Sequence, residues 1–307
     1  MAVSFGGGVY AWNSGQIIGL CICAGVLWIA FILQQAFCIS TTRDRRLFPV
    51  QFIKSWEMNI LFAQMAAGQV IVFVSIYFIP LYFQFVRNDS ALEAGVRLLP
   101  FVLLLVFAVM FNGAMMGKLG YYMPWYLLGG VLSLVGGTLL YTITVNCSTS
   151  RVYGYTAITA LGAGLFSQAG FPIAQVKVAP EMISHAVAFI GVAQVGGIAL
   201  ALMMSNSIFL NEATNKISVI LPEVSRLMVQ QAISGAGGSF FETLNAQDRA
   251  SVLDAIVHSI DNVFILVITA GAMVVVLSLF MKRERLFIQS STVNAGSDEK
   301  HTKTASA

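Results

Sequence analysis

The sequence has very little charge. Of its 307 residues only 10% are Asp, Glu, Lys or Arg, whereas a soluble domain carries roughly 25%. Too few charged side chains remain to cover a water-facing surface, so a soluble globular fold is excluded and lipid is the solvent that fits. The formal net charge of +3 is equally small, and no basic stripe interleaves with aromatics, which argues against a nucleic-acid partner. Cysteine is scarce. Cys21, Cys23 and Cys38 lie in one apolar run and Cys147 stands apart, so no disulfide framework is expected and the thiols read as buried small apolar groups. The first fifteen residues contain no Lys or Arg, so no cleavable leader is expected. There is no nucleophile–base pair, metal-ligand spacing or phosphate-binding glycine loop, so neither enzymatic activity nor a cofactor or metal is expected.

What is present is apolar. Hydrophobic residues make up 57% of the chain, and the mean hydropathy is +0.80. Seven stretches without a single charged residue are long enough to cross a bilayer: 17–39, 59–86, 98–117, 125–145, 154–176, 186–210 and 262–281. The shortest has 20 residues, and a helix of that length rises about 30 Å, the thickness of the hydrocarbon core. Lipid offers no partner for backbone N–H and C=O groups, so each span must be helical. The predicted fold class is therefore all-α, a polytopic membrane protein of seven transmembrane helices. Pro80 and Pro172 sit late in their spans and are expected to kink or unwind them.

Orientation follows from the basic residues. With the loop after the first span in the cytoplasm, Arg43, Arg45, Arg46, Lys54, Lys118, Lys177, Lys282, Arg283, Arg285, Lys300 and Lys303 are inside. Six remain outside, and three of those lie in one long loop where the positive-inside rule is weak. The amino end is then outside and the tail inside. Two N-x-S sequons, at Asn88 and Asn146, both fall in loops placed outside and are candidate glycosylation sites. The segment from Glu212 to Asp261 is the one large extramembrane region. Within it Asn245 is a good N-cap, and Val252, Leu253, Ile256 and Val257 follow at helical spacing, which predicts an amphipathic helix on the outer surface feeding the last span. The tail is basic near the membrane, then rich in Ser and Thr, and reads as disordered.

Seven helices with the amino end outside also describe receptors and retinal proteins. Span 262–281 has no lysine for a Schiff base, and neither Asp-Arg-Tyr after the third span nor Asn-Pro-x-x-Tyr in the seventh is found. Other motifs point elsewhere. The stretch Gly6-Gly7-Gly8-Val9-Tyr10-Ala11-Trp12-Asn13-Ser14 before a span, the run Gly95-Val96-Arg97-Leu98-Leu99-Pro100, Gly162-Ala163-Gly164 with Gln168, and Ala193-Gln194-Val195-Gly196-Gly197 occur in a characteristic order and spacing. Together they resemble the fungal fourteen-helix drug:proton antiporters of the major facilitator superfamily over residues 3–285.

The resemblance implies an organisation. Residues 1–15 would be an outer loop, 16–39 a linker transmembrane helix, and 40–58 a cytoplasmic connection. Residues 59–281 would be the six-helix C-terminal half, built as three plus three helices and including the outer loop 212–260, and 282–307 a disordered cytoplasmic tail. An amino-terminal half, on the same chain or a partner, would complete it. The family's loop motif, G-x-x-x-D-R-x-G, corresponds to Gly113-Ala114-Met115-Met116-Gly117-Lys118-Leu119-Gly120. Gly113, Gly120 and the cation Lys118 carry over, whereas Gly117 replaces the aspartate of the charge relay; a plain tight turn is the alternative reading.

Amides are unevenly placed. Inside the last six spans they are Gln64, Gln69, Gln84, Asn112, Gln168, Gln175, Gln194 and Asn206, and spans 125–145 and 262–281 have none apart from Asn262 at a boundary. In the facilitator fold the first, second, fourth and fifth helices of a half line the cavity, so the amides fall where water and substrate would be. Their alternative use is hydrogen bonding between helices. Gln168 and Gln175, seven apart and so on one helix face, are assigned to substrate contact with Gln64, Gln194 and Asn112; Phe166 and Phe171 would supply aromatic wall. Ala193, Gly197, Ala201 and Ser205 form a small-residue packing stripe, as do Gly129, Ser133 and Gly137. No carboxylate lies at mid-membrane depth. The expected function is proton-coupled efflux of hydrophobic small molecules, drugs or toxins, by alternating access in the plasma membrane, with lipid, substrate and protons as partners. The alternatives are a non-transporting scaffold or regulator and a seven-helix receptor.

Overall fold

The computed structural model describes residues 14–37, 50–233 and 244–285. Among them it is all-α, with no strand beyond one isolated bridge between Tyr121 and Arg285. The helices are α1 (Gly15–Phe37), α2 (Trp56–Arg87), α3 (Ala91–Leu119), α4 (Met123–Leu140), α5 (Thr149–Gly164), α6 (Gly170–Val176), α7 (Ile183–Ile220), α8 (Arg226–Gln231) and α9 (Ala246–Leu279). Five of them, α2, α3, α4, α7 and α9, are long and apolar enough to cross a membrane. The expected first span corresponds to α1, of 23 residues. The expectations for 1–13, 38–49, 234–243 and 286–307, including Cys38 and the tail, lie outside the described residues.

Helix α2 is the central post. It packs against α3, α7 and α9, while α4 lies between α5 and α9, and α3 crosses α5. Lipid tails are as apolar as leucine, so these contacts hold by close van der Waals packing rather than by expulsion of water. The small-residue stripes supply it. Ala193, Gly197, Ala201 and Ser205 are all buried, and a Cβ on Gly197 would lie 2.7 Å from the Ala66 carbonyl oxygen of α2. On α4, Gly129 and Ser133 meet Gly162 of α5, and Gly137 faces Val267 of α9.

The connections are capped. Ser90 and Glu93 form a reciprocal capping box at the start of α3, and Asn88, in the left-handed region at φ 56°, closes α2. Ser90→Ala is expected to cost roughly 1 kcal/mol of stability. The same change removes the Asn88 sequon, so Ser90→Asp, which retains a cap without the sequon, separates the two effects in a thermal melt. Gly120 (φ 75°) ends α3 with its N–H on the Met116 carbonyl, as a glycine can and a branched residue cannot.

Three expectations change. The span 154–176 is not one helix: α5 stops at Gly164, a run of turns covers 165–169, and α6 resumes at Gly170. Pro172 has no N–H to give the Gln168 carbonyl, and its ring crowds that group, so the break falls before the proline. Tighter bonds from Phe166 to the Ala163 carbonyl and from Ala169 to the Phe166 carbonyl, with one of helical span from Ser167 to Ala163, replace part of the lost ladder. Pro80, by contrast, lies inside the unbroken α2. The segment 212–260 is mostly helical rather than a loop. α7 continues to Ile220, and Asn245 is the N-cap of α9, whose 34 residues merge the expected surface helix with the last span. The apolar face of that first part, Val252, Ile256 and Val257, is buried in the bundle, not spread on a surface. Finally, Cys147 is buried but Cys21 and Cys23 are exposed on α1; a thiol facing lipid meets an apolar medium as a buried one does.

Candidate functional site

The break between α5 and α6 opens onto a cavity of about 350 Å³. Its lining comes from four elements: Gln69, Val72 and Phe73 of α2; Leu105, Val106, Val109 and Met110 of α3; Ser167 and Gln168 of the break; Gln194 and Ile198 of α7. Three amides thus converge on a wall that is otherwise apolar. Each amide carries both donors and an acceptor, so the site can match a neutral polar group on an apolar molecule without a charge. No ionisable side chain among the described residues lines it.

The break decides what Gln168 does. In a continuous helix it would share a face with Gln175, but the turn at 165–169 exposes Gln168 toward the cavity, and Gln175 is half-buried on α6 away from the lining. Gln194 lines the cavity. Gln69 does too; it is buried, with its Nε2 3.6 Å from the Met65 sulfur. Gln64 is elsewhere: it is fully buried against the end of the bundle, its Nε2 3.4 Å from the Met281 sulfur. Asn112 is buried in α3, and its Nδ2 has no partner among the described residues. Phe166 is a wedge, not a wall: buried, it fills the space left by Gly68 and Gly129 and tilts against the Tyr126 ring at 5.6 Å. Phe171 packs on the same core.

A second constellation sits at one end of the bundle. Glu57, at the start of α2, accepts a hydrogen bond from Lys177 at 2.6 Å and forms an ion pair with Lys282 at 2.5 Å; Glu284 reaches the same two ammonium groups at 3.4 and 3.6 Å. Lys177 lies 5.2 Å over the Tyr122 ring, and its side chain is only 8% exposed. Burial works against its charge, but the bonds to Glu57 and Tyr122 outweigh that and hold its pKa above the ordinary lysine value. The bond to Glu57 likewise raises Lys282. A raised lysine pKa contributes stability that is present below the unfolded-state value and lost only as pH climbs through the folded one. The cluster is therefore intact throughout the neutral range. It ties the start of α2, the end of α6 and the chain after α9 together. Lys118 is exposed and takes part in no ion pair among the described residues, and Gly113 is open to its surroundings; of the loop motif only Gly120 has a defined structural role. Composition could not find this cluster, because its four members lie up to 227 positions apart.

No group of His, Cys, Asp and Glu able to hold a metal occurs among the described residues. Lipid-length helices packed through small residues, with a broken helix over an amide-lined cavity, define a polytopic α-helical membrane protein built like a transporter. No family profile matches the chain. Individual proteins do. It is 51% identical over 292 residues, 95% of its length, to the MFS-type transporter pgmG of Aspergillus terreus. It is 44% identical over 294 residues, again 95% of its length, to the efflux pump alnA of Emericella nidulans. With the efflux pump DEP3 of Fusarium langsethiae it shares 36% over 273 residues, 89% of the chain. The aligned regions are 52%, 53% and 50% of these relatives, so the chain spans about half their length. The chain belongs to the major facilitator superfamily.

Proposed function

We propose that this chain is the carboxyl-terminal half of a proton-coupled exporter of hydrophobic small molecules that works by alternating access. The observation that carries the reading is the cavity where Gln69, Gln168 and Gln194 meet beside a broken helix. Unwound backbone at membrane depth is tolerated only where it is buried or faces a polar space, and transporters place their substrates there. The neutral lining favours apolar cargo with a few hydrogen-bonding groups, and the relatives named as efflux pumps favour outward movement. The coupling proton is assigned to the other half, since no described residue of the cavity is titratable. The Glu57–Lys177–Lys282 end is placed in the cytoplasm, the amino end outside, and the protein in the plasma membrane.

Two measurements test this. An antibody to residues 289–307 sizes the native product; a band near twice 33.1 kDa is expected. Efflux of a hydrophobic fluorescent dye from cells making that product is then compared with Gln168→Ala and Gln194→Ala. Loss of one amide hydrogen bond is expected to weaken substrate affinity about tenfold, at unchanged surface expression. A band near 33.1 kDa, or dye efflux indifferent to both substitutions, would leave the scaffold reading instead.

A further inference from the structure

A groove of about 570 Å³ lies where α4 and the chain after α9 meet, and it shares no lining residue with the amide-lined cavity. Its floor is Leu127, Leu128 and Val131 of α4, and its mouth is Tyr121, Arg283 and Glu284. Leu128 and Val131 are 49% and 40% exposed, so the groove is open along an apolar helix face. From Pro124 to Val131 the helix rises about 11 Å, so the groove runs from the end of the span toward the bilayer interior. Its mouth is held in shape: Tyr121 and Arg285 form a backbone bridge, and the Arg285 guanidinium lies 4.7 Å over the Tyr121 ring. Aromatic rings at a span end mark the headgroup level of a bilayer.

Charge at the mouth is unevenly spent. Glu284 faces Lys177 and Lys282, and Lys282 is also taken by Glu57. Arg283 and Arg285 take part in no ion pair among the described residues, and Arg285 is committed to the tyrosine ring. Arg283 is thus an unpaired guanidinium directly above an apolar channel. A ligand matching both has an anionic head and a long apolar tail. We propose that this groove is a binding site for an anionic diacyl phospholipid, with the phosphate on Arg283 and one acyl chain along Leu127, Leu128 and Val131. A guanidinium binds phosphate through two parallel donors, which a lysine offers less well and an amide not at all.

The test uses photoreactive lipids. The full chain is reconstituted in phosphatidylcholine vesicles containing a trace of phosphatidylglycerol or phosphatidylcholine with a diazirine in one acyl chain, irradiated, and digested for mass spectrometry. Adducts on residues 123–131 are expected to form about fivefold more often with the phosphatidylglycerol probe, the ratio that one surface cation supplies. Arg283→Gln should remove the preference and Arg283→Lys retain most of it. Adducts on the exposed Ile265 and Met273 of α9 should be equal for both probes in every variant, which shows that each variant is reconstituted alike. Equal labelling of 123–131 by the two probes overturns the proposal. So does labelling that appears only after residues 289–307 are deleted, since the tail would then be the occupant. No step depends on flux, so failure of the export reading would leave this result unaffected.

Discussion

Gly197→Leu is expected to lower the thermal stability of the detergent-solubilised protein and to stop dye efflux, while Gly196→Leu on the same helix changes neither. A Cβ at Gly197 meets three backbone atoms of Ala66, at 2.7, 2.8 and 3.2 Å. Backbone cannot step aside as a side chain can, so α7 and α2 must separate. Overpacking of this kind costs about 1–3 kcal/mol, and a leucine carries more volume than the usual case. At Gly196 no atom lies within 4 Å, so a leucine there extends into open space. Gly197→Ala should fall between the two. If alternating access requires α7 to slide on α2, efflux will fail in a variant that still reaches the membrane; retention of both stability and efflux in Gly197→Leu would show that the two helices are not in close contact.

The second large effect concerns the charge cluster, and it is asymmetric. Glu57→Gln should destabilise the protein by about 2 kcal/mol, a value discounted from the buried-pair range because Glu57 is 26% exposed. It strips Lys177, whose side chain is 8% exposed, of its short partner and leaves Glu284 at 3.4 Å. Lys177→Met should cost less than about 1 kcal/mol, because Glu57 keeps Lys282 at 2.5 Å and some access to water. The double variant should then resemble Lys177→Met alone. Thermal melts of the three variants decide it, and equal losses for the two single changes would contradict the assigned geometry.

Much of the fold was legible because lipid simplifies the code. Charge-free runs of 20 or more residues located the five helices long enough to cross a membrane, and small residues four apart located the contacts of α7 and α4. Two things escaped, for different reasons. Asp248, Arg249, Asp254 and Asp261 interrupt the apolar run before residue 262, so a charge criterion ends the span where the helix does not. The break at 165–169 lies in a run with no polar punctuation except Ser167 and Gln168; only Pro172, a few residues later, hints at it. That break separates Gln168 from Gln175, so spacing alone could not say which amides meet. Nor could it separate Gln69 from Gln64, five positions apart on one helix, of which the first lines the cavity and the second packs on Met281. The cation Lys118 was visible through a motif, whereas the cluster of Glu57, Lys177, Lys282 and Glu284 uses residues no motif marks.

The lengths of α7 and α9 have a practical consequence. Their 38 and 34 residues make rods of about 57 and 51 Å, about 27 and 21 Å longer than the hydrocarbon core. The two pack together, and Asn262 of α9 donates to Glu212 of α7 beside the Lys216 pair. An overhang shared by two packed helices is expected to break the top-to-bottom resemblance that makes small helical membrane proteins hard to orient in projection. Single-particle images of this chain in a nanodisc are therefore expected to carry their own fiducial mark.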